Sequence, residues 1–164
     1  MLVPILPLDH CRPSPYNSDM LKFGKTKIDT NIFLAPLSGC SDLAFRTIAR
    51  EHGARFCFFE MIDAHSMIYQ RKKTLTLLRT NEKDAPIAAQ LLGRDPEIML
   101  EAAKRMLEHV KISFLDINCA CPAKKIIKKK AGSYLLKDTE SLAKVVEKLS
   151  SSLPIPVTVK LRTG

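Results

Sequence analysis

The chain has 164 residues, 46% of them hydrophobic, and a formal net charge of +9 at pH 7. This length and composition predict a folded domain with a hydrophobic core and exclude a chain that is disordered throughout. The sequence has neither the run of roughly 20 apolar residues that spans a bilayer nor the N-terminal pattern of a secretory signal, so we expect a cytoplasmic protein without a membrane partner.

The cysteines and the basic residues further limit the kinds of site and partner that the sequence predicts. The five cysteines lack the spacing of a disulfide framework or a zinc finger, so we expect reduced thiols and no metal site. The excess of Lys and Arg favours a polyanionic partner, because phosphate neutralisation releases counterions. A basic surface that is merely solvated is an equally good interpretation of charge alone.

The N-terminal part of the chain predicts a leader, a strand and a helix. Residues 1–20 carry four prolines and no sustained period, which predicts an irregular leader before a folded domain over 21–164. The apolar segment 31–36 predicts a first strand, and Ser41 is a plausible N-cap for the helix that follows. The residues expected on one face of that helix are Phe45, Ile48, Ala49 and His52.

Two further strands, 56–60 and 87–91, are apolar apart from one polar residue near the end of each. Glu60 is interpreted as a capping or ion-paired carboxylate. A buried Gln90 needs hydrogen-bond partners, which are either backbone groups or a ligand with donor and acceptor edges. Segment 64–80 is weakly helical, whereas Asp95 followed by Pro96 predicts the start of a strong helix. Its expected core stripe is Met99, Ala102, Ala103, Met106 and Val110.

The most informative segment runs from residue 114 to residue 125. An apolar strand ends there in Asn118, two thiols and Pro122, which cannot donate to a sheet ladder. Cys121 therefore lies at the junction of a strand and a loop, the place from which catalytic groups project in barrels of alternating strands and helices. The competing interpretation of Cys121 is a small buried apolar residue, as most unpaired cysteines are.

The C-terminal part predicts a basic loop at 124–130, a helix capped by Asp138 or Thr139, and a fifth strand at 157–161. The core stripe of that helix is predicted to be Leu142, Val145, Val146 and Leu149. Strands that alternate with helices predict parallel right-handed crossovers, in either an open doubly wound sheet or part of a barrel. A Gly-x-Gly-x-x-Gly motif does not follow the first strand, which argues against a dinucleotide-binding Rossmann unit.

From about residue 31 to its end, the chain resembles the tRNA-dihydrouridine synthase family, flavin enzymes that reduce uridines in tRNA. A series of short motifs carries the resemblance, in the same order as in the family. These motifs are 35–39 with Asp42 and 45–46, then 60–61, 89–91, 116–118, 121–125, 131–133 and 157–164.

The resemblance implies an α/β fold, the TIM (β/α)8 barrel, of which this chain would hold about the first five β/α units. A complete barrel has eight strands and typically about 250 residues. The later strands, their phosphate-binding loops and the family's helical tRNA-binding domain are expected to be absent from residues 21–164, so FMN is expected to bind weakly or not at all to this chain alone. The implied cofactor is FMN, with NAD(P)H as reductant and tRNA as partner.

The resemblance also implies roles for individual residues. Cys121 matches the catalytic cysteine, which protonates C5 of uracil while a hydride from reduced FMN reaches C6. A thiol suits this role because its ordinary pKa of about 8.5 keeps it protonated yet able to release its proton. The implied cofactor-binding residues are Pro36, Leu37, Ser38, Gln90, Asn118 and Lys160. The implied RNA-binding residues are Lys124, Lys125, Lys128 and Lys129.

Cys119 and Ala120 depart from the family, which commonly has methionine and glycine at these two positions. Two other functions remain open at this stage. A dihydroorotate-dehydrogenase-like flavoprotein would act on a free pyrimidine, with a similar Asn-x-x-Cys-Pro turn. An inactive barrel fragment would bind RNA through its basic surface without flavin.

Overall fold

A computed structural model describes residues 20–69 and 72–163 of the chain. An antiparallel hairpin of β1 (Leu21–Phe23) and β2 (Thr26–Ile28) comes first. A parallel sheet follows, whose four strands are adjacent in chain order. These strands are β3 (Cys57–Asp63), β4 (Ile87–Leu92), β5 (Leu115–Asn118) and β6 (Val157–Lys160).

Helices connect the strands and cover one side of the sheet. Among the described residues, none of these helices is long and apolar enough to cross a membrane. The helices are α1 (Leu43–Glu51), α2 (Ala64–Ile68), α3 (Lys72–Leu77), α4 (Pro96–His109), α5 (Lys124–Lys128) and α6 (Thr139–Ser152), with a 3-10 helix at Gly132–Leu136.

The two sides of the sheet have different chemistry because side chains alternate along each strand. Leu91 and Ile117 belong to the hydrophobic core that α4 and α6 cover. A row of register partners crosses all four strands, and it consists of Met61, Gln90, Asp116 and Thr158. These four side chains therefore lie at the same level of the sheet, and three of them are polar.

An aromatic cluster lies beside the hairpin. The ring of Phe56 stacks on that of Phe114 with centroids 5.3 Å apart, and Phe58 meets Phe114 edge to face at 5.5 Å. Phe23 of β1 packs on Phe114 at 5.0 Å, so the hairpin contributes to the same core. This core is separate from the one under α4 and α6.

The α/β class, the parallel crossovers and four of the five predicted strands are confirmed. The described residues form no closed barrel, and their chain-order sheet lacks the reversal that marks a doubly wound fold. The predicted first strand at 31–36 is wrong in extent, because only one bridge, between Leu34 and Cys57, joins it to β3. The hairpin was not predicted, and the predicted leader lies outside the described residues except for Met20.

The four residues expected on one face of α1 do not form a buried apolar face. Phe45 and Ile48 are 38% and 56% exposed, whereas Arg46 is fully buried. Arg46 donates to the Asp84 carboxylate at 2.7 Å and to the carbonyl of Ser41 at 2.6 Å. A buried arginine with several partners replaces the apolar contact that the sequence pattern indicated.

Two local predictions also need correction. Asp42, not Ser41, is the N-cap of α1, and its carboxylate accepts from the backbone N–H of Phe45 at 2.9 Å. Segment 124–130 is not a plain loop, because its first five residues form α5 and bury Ile126 while the lysines face outward. Other boundaries were confirmed, including the cap of α4 at Asp95 and the cap of α6 at Asp138.

Candidate active site

A cleft of about 200 Å³ opens at the C-terminal ends of the parallel strands. Strand ends β3, β4, β5 and β6 and the loop after residue 35 all contribute to its wall. The residues that line it are Pro36, Leu37, Ser38, Met61, Gln90, Asn118, Ala120, Cys121 and Lys160.

All seven residues predicted for catalysis or cofactor contact border this one cleft. Sequence reasoning missed Met61 and Ala120, although both lie inside or beside motifs that it singled out. Cys121 borders the same space as Gln90 and Lys160, and it also packs beside Leu92 and Ile126 on its other side. The thiol is thus not enclosed in hydrocarbon.

The loop that forms one wall is held by two buried polar side chains. Ser41 is fully buried, and its Oγ accepts from the N–H of Leu37 at 2.9 Å and donates to the carbonyl of Leu37 at 3.1 Å. The Glu60 carboxylate accepts a hydrogen bond from the backbone N–H of Gly39. Glu60 is therefore a capping carboxylate, as predicted, and the loop it caps carries Leu37 and Ser38.

Gln90 is the centre of the polar row across the sheet. Its Nε2 donates to the Asp116 carboxylate at 2.6 Å, and its Oε1 accepts from Nδ2 of Asn118 at 2.7 Å. The Thr158 hydroxyl donates to the other oxygen of Asp116 at 2.6 Å. Burial raises the pKa of the Asp116 carboxyl, against the lowering effect of the hydrogen bonds from Gln90 and Thr158 and the charge of Lys160.

Asn118 connects this row to the cysteine-bearing turn. Its Oδ1 accepts from the backbone N–H of Ala120 at 3.2 Å and of Cys121 at 3.0 Å. Its Nδ2 contacts the sulfur of Met61 at 3.1 Å in addition to Gln90. Asn118 follows the last apolar residue of β5, so its side chain can cap the turn that begins there.

The other side of the turn is fixed by the 3-10 helix. The carbonyl of Cys121 accepts from the N–H of Ser133 at 3.0 Å. Gly132 has φ +64°, and a Cβ atom there would lie 2.7 Å from the carbonyl oxygen of Cys121. This contact explains why a glycine stands in the motif at 131–133, for which the sequence alone supplied no mechanism.

The two neighbouring thiols have different environments. Cys119 is fully buried in the core under the helices, and burial, assisted by the charge of Asp116, raises its pKa to about 12. Cys121 is half-buried and lines the cleft. Because the chain turns after Asn118, the two side chains do not share a side, and only Cys121 can meet a molecule in the cleft.

The predicted RNA-binding lysines lie on and just after α5, which begins three residues after Cys121. Lys124, Lys125 and Lys128 are exposed. Lys129 is also exposed, but its Nζ donates to the Asp63 carboxylate at 3.0 Å. The charge of Lys129 is therefore partly compensated by a carboxylate within the described residues, unlike the charges of the other three lysines.

Groups of three or more acidic, histidine or cysteine side chains that could hold a metal ion do not occur in the part of the chain that the structure describes. Every buried side-chain nitrogen or oxygen in that part has a hydrogen-bond partner. The polar groups that line the cleft are the amides of Gln90 and Asn118, the thiol of Cys121, the hydroxyl of Ser38 and the amine of Lys160.

Comparison with known proteins identifies the family to which the chain is similar. The family model described as "Dihydrouridine synthase (Dus)" matches residues 33–164. A probable tRNA-dihydrouridine synthase of Rickettsia bellii is 39% identical over 146 residues, and that of Treponema pallidum is 36% identical over 149 residues. The tRNA-dihydrouridine synthase B of Pseudomonas aeruginosa is 34% identical over 145 residues.

Each of these alignments covers 88% of this chain. It covers 43% or 44% of the relative, so the chain spans less than half the length of these curated relatives. The family match nevertheless includes the loop at 36–38, the strand ends and the cysteine-bearing turn that form the cleft. The chain belongs to the dihydrouridine synthase family.

Proposed function

We propose that this chain forms the flavin-ring and thiol side of the active site of an FMN-dependent tRNA-dihydrouridine synthase. The proposal depends on one observation above all, the convergence of Gln90, Lys160 and Cys121 on a single cleft. These residues come from three different strand ends, and their chemistry is complementary to a flavin and a uracil. The sheet that carries them corresponds to an arc of a TIM barrel, with residues 31–36 on the side of β3.

The residues of the cleft fit the polar edge of an isoalloxazine ring. Gln90 borders the cleft but is fully buried; it uses one N–H and one lone pair within the chain, and a flavin would have to reach the remaining one of each from the cleft side. Lys160 is exposed at the end of β6 and supplies a cation, which favours an anionic reduced ring. Pro36, Leu37 and Ser38 form the third wall.

The size of the cleft also bears on the cofactor. Pockets for complete small-molecule ligands range from about 300 to 1,000 Å³. A volume of about 200 Å³ is suited to the ring end of FMN rather than to the whole cofactor. Bound there, FMN reduced by NAD(P)H would supply the hydride that reaches C6 of uracil.

The chain's own contribution to the chemistry is a proton. The Cys121 thiol donates its proton to C5 of uracil and becomes a thiolate, which water then reprotonates. Cys119 cannot replace it, since burial keeps that thiol in the core with a pKa of about 12. General acid catalysis of this kind typically contributes about 10²–10⁴-fold to a rate.

Substrate specificity in this proposal comes from the basic helix next to the turn. Lys124, Lys125 and Lys128 present their charges beside the cleft and would bind RNA phosphates, which positions a nucleic acid without reading its sequence. The target uridine must leave its stack to enter the cleft. A free pyrimidine such as dihydroorotate carries one carboxylate and no phosphate backbone, so it would use at most one of these cations.

A chimeric enzyme tests the function in a complete protein. Residues 33–164 replace the matching segment of the Rickettsia bellii relative, and the chimera is incubated with FMN, NADPH and unmodified tRNA. We expect a mass increase of about 2 Da in a tRNA uridine from the added hydride and proton, and a rate about 10²–10⁴-fold lower for Cys121→Ala. A Cys119→Ala variant is the matched control and should keep most of the activity.

Two results would contradict the proposal. One is a folded, flavin-containing chimera that leaves tRNA unchanged. The other is turnover of dihydroorotate in place of tRNA, which would favour the alternative function as a flavoprotein for free pyrimidines.

A further inference from the structure

The hydrogen bonds of Asn118 are all made within the chain. A side-chain amide offers two N–H donors and two acceptor lone pairs. Asn118 uses both acceptor positions on the N–H groups of Ala120 and Cys121, and its NH₂ group on Gln90 and Met61. Only 6% of the residue is exposed, although it borders the cleft.

These hydrogen bonds form a series in which the direction of donation is fixed. At one end stands the Asp116 carboxylate, which as an anion only accepts, and Gln90 must therefore turn its NH₂ group toward it. The carbonyl oxygen of Gln90 therefore faces Asn118, and Asn118 must donate to it from its own NH₂ group. The oxygen of Asn118 is left facing the turn, whose backbone N–H groups only donate.

The partners at the two ends of this series of hydrogen bonds therefore require the same orientation of the two amides. Asp116 fixes it from the sheet, and the N–H of Cys121 fixes it from the turn. Thr158 adds no preference, since a hydroxyl can either donate or accept. A single hydrogen-bond pattern is the result, and it ends on the backbone of the residue that carries the thiol.

We propose that Asn118 is a positioning residue, which holds the backbone turn of Cys121, and that Asp116 acts through Gln90 to keep Asn118 in the orientation that can do so. The consequence for catalysis rests on the proposed function, since it concerns where the thiol proton is delivered. The hydrogen-bond chain itself involves neither flavin nor RNA, so it is tested without them. A failure of this inference is therefore distinct from a failure of the proposed function.

The first test removes the cap on the turn. In the 164-residue chain, Asn118→Ala should speed hydrogen exchange of the Cys121 N–H by about threefold to tenfold, the value of one lost hydrogen bond. The same variant should change the pH profile for alkylation of Cys121 by iodoacetamide, followed by peptide mass spectrometry. Thr158→Val is the matched control, because it removes a bond to Asp116 without touching the turn, and both readouts should stay within about twofold of the parent chain.

The second test reverses the direction of donation in this series of hydrogen bonds. Asn118→Asp places a carboxylate on each side of Gln90, whose amide can turn its NH₂ group toward only one of them. We expect a lowered midpoint of thermal unfolding for this variant. Adding Asp116→Asn lets Gln90 turn around, so that it donates to the new carboxylate at position 118 and accepts from the new amide at position 116. The midpoint should then recover.

The recovery is measured on the Asn118→Asp variants, so it tests the inference even where Asn118→Ala does not fold. The inference is overturned by unchanged exchange and alkylation in folded Asn118→Ala. It is equally overturned by a double variant Asp116→Asn/Asn118→Asp that is no more stable than Asn118→Asp alone, because a residue with a merely local structural role gains nothing from a carboxylate exchange two strand positions away.

Discussion

The carbonyl oxygen of Cys121 accepts a hydrogen bond of 3.0 Å from the backbone N–H of Ser133. Together with the bond from its own N–H to Asn118, this contact fixes the backbone of the thiol-bearing residue on both sides. The turn after β5 and the start of the 3-10 helix therefore meet at one residue. The position of the thiol depends on the 3-10 helix as well as on the strand that delivers it.

Gly132→Ala tests this dependence. A Cβ atom at φ +64° would lie 2.7 Å from the carbonyl oxygen of Cys121 and 2.8 Å from Ile126. We expect a loss of about 2–4 kcal/mol in the free energy of unfolding, from left-handed backbone strain and overpacking combined. Urea denaturation measures it.

Gly39→Ala is the control for Gly132→Ala. Gly39 has φ +76°, but nothing lies within 4 Å of the position a Cβ atom would take. Only the backbone cost of about 1–2 kcal/mol should appear. Equal losses for the two variants would show that the contact with Cys121 carries no energy.

The buried ion pair of Arg46 and Asp84 should contribute strongly to the stability of the fold. Arg46 is fully buried, pairs with Asp84 at 2.7 Å and donates to the carbonyl of Ser41, which in turn holds Leu37. Arg46→Met leaves the buried Asp84 carboxylate paired with Arg50 at 3.0 Å, so the lost charge-assisted hydrogen bonds should cost about 1.5–3 kcal/mol in the free energy of unfolding.

The exposed pair of Arg55 and Asp29 serves as the comparison for Arg46. Its side chains are 59% and 55% exposed, and its N–O distance is also 2.7 Å. Arg55→Met should cost at most about 1 kcal/mol in the same denaturation experiment. A smaller loss for Arg46→Met than for Arg55→Met would contradict the structural role given to the buried guanidinium.

Asp116 and Asp63 should contribute to stability with opposite dependence on pH. Burial raises the pKa of Asp116, so its contribution is present below the ordinary value of 3.8 and is lost as pH rises through the raised native pKa. Burial also acts to raise the pKa of Asp63, but hydrogen bonds from Lys129 and Ser66 outweigh it and lower the net value. Its contribution is present above 3.8 and is lost as pH falls through the lowered native pKa.

Urea denaturation over a pH series checks these signs. The stability of the parent chain minus that of Asp116→Asn should fall as pH rises from 3.8, whereas the same difference for Asp63→Asn should grow as pH rises toward 3.8. Differences that change in the same direction for both residues would refute the assigned environments.

The lysines of α5 and the lysine that follows it should contribute unequally to RNA binding. Each phosphate contact changes the slope of log affinity against log salt by about 0.7 for single strands and about 0.9 for duplexes. Lys125→Gln should lower the slope for tRNA by about that amount, and Lys129→Gln by less, because Asp63 already compensates its charge. Fluorescence anisotropy between about 50 and 200 mM salt measures both.

Lys104→Gln is the matched control for these variants. Lys104 is an exposed cation on α4, outside the cleft and outside α5. Its removal should leave the slope unchanged. A slope that falls equally for Lys104, Lys125 and Lys129 would indicate a general charge effect in place of a binding surface.

The sequence predicted those features that local pattern determines. Capping at Asp95 and the apolar stripe of α4 follow from residue type and spacing, and both were confirmed. The burial of Arg46 could not be predicted, because its partner Asp84 lies 38 residues away and an arginine is usually exposed. The hairpin before residue 30 was missed because its strands have only three residues each.

The candidate site shows the same division. Its seven predicted residues stand at strand ends or in the loops beside them, and parallel strands bring such positions to one edge. The hydrogen-bond direction through Gln90 was not predictable, since its partners lie 26 and 28 positions away and depend on the register between strands. Asp116 was therefore recognised only as part of a motif, without a role.

A flavin titration shows whether the cleft binds a flavin ring through Gln90 and Lys160. The proposed contacts of this chain are to the flavin ring and not to the phosphate, so riboflavin and FMN should bind with saturable affinities equal within about twofold, a difference of less than about 0.5 kcal/mol. Quenching of flavin fluorescence measures both ligands with the parent chain and with Gln90→Leu, Lys160→Met and the control Lys104→Met. We expect weaker binding only for the first two variants. Binding of either flavin that is unaffected by Gln90→Leu and Lys160→Met would contradict it.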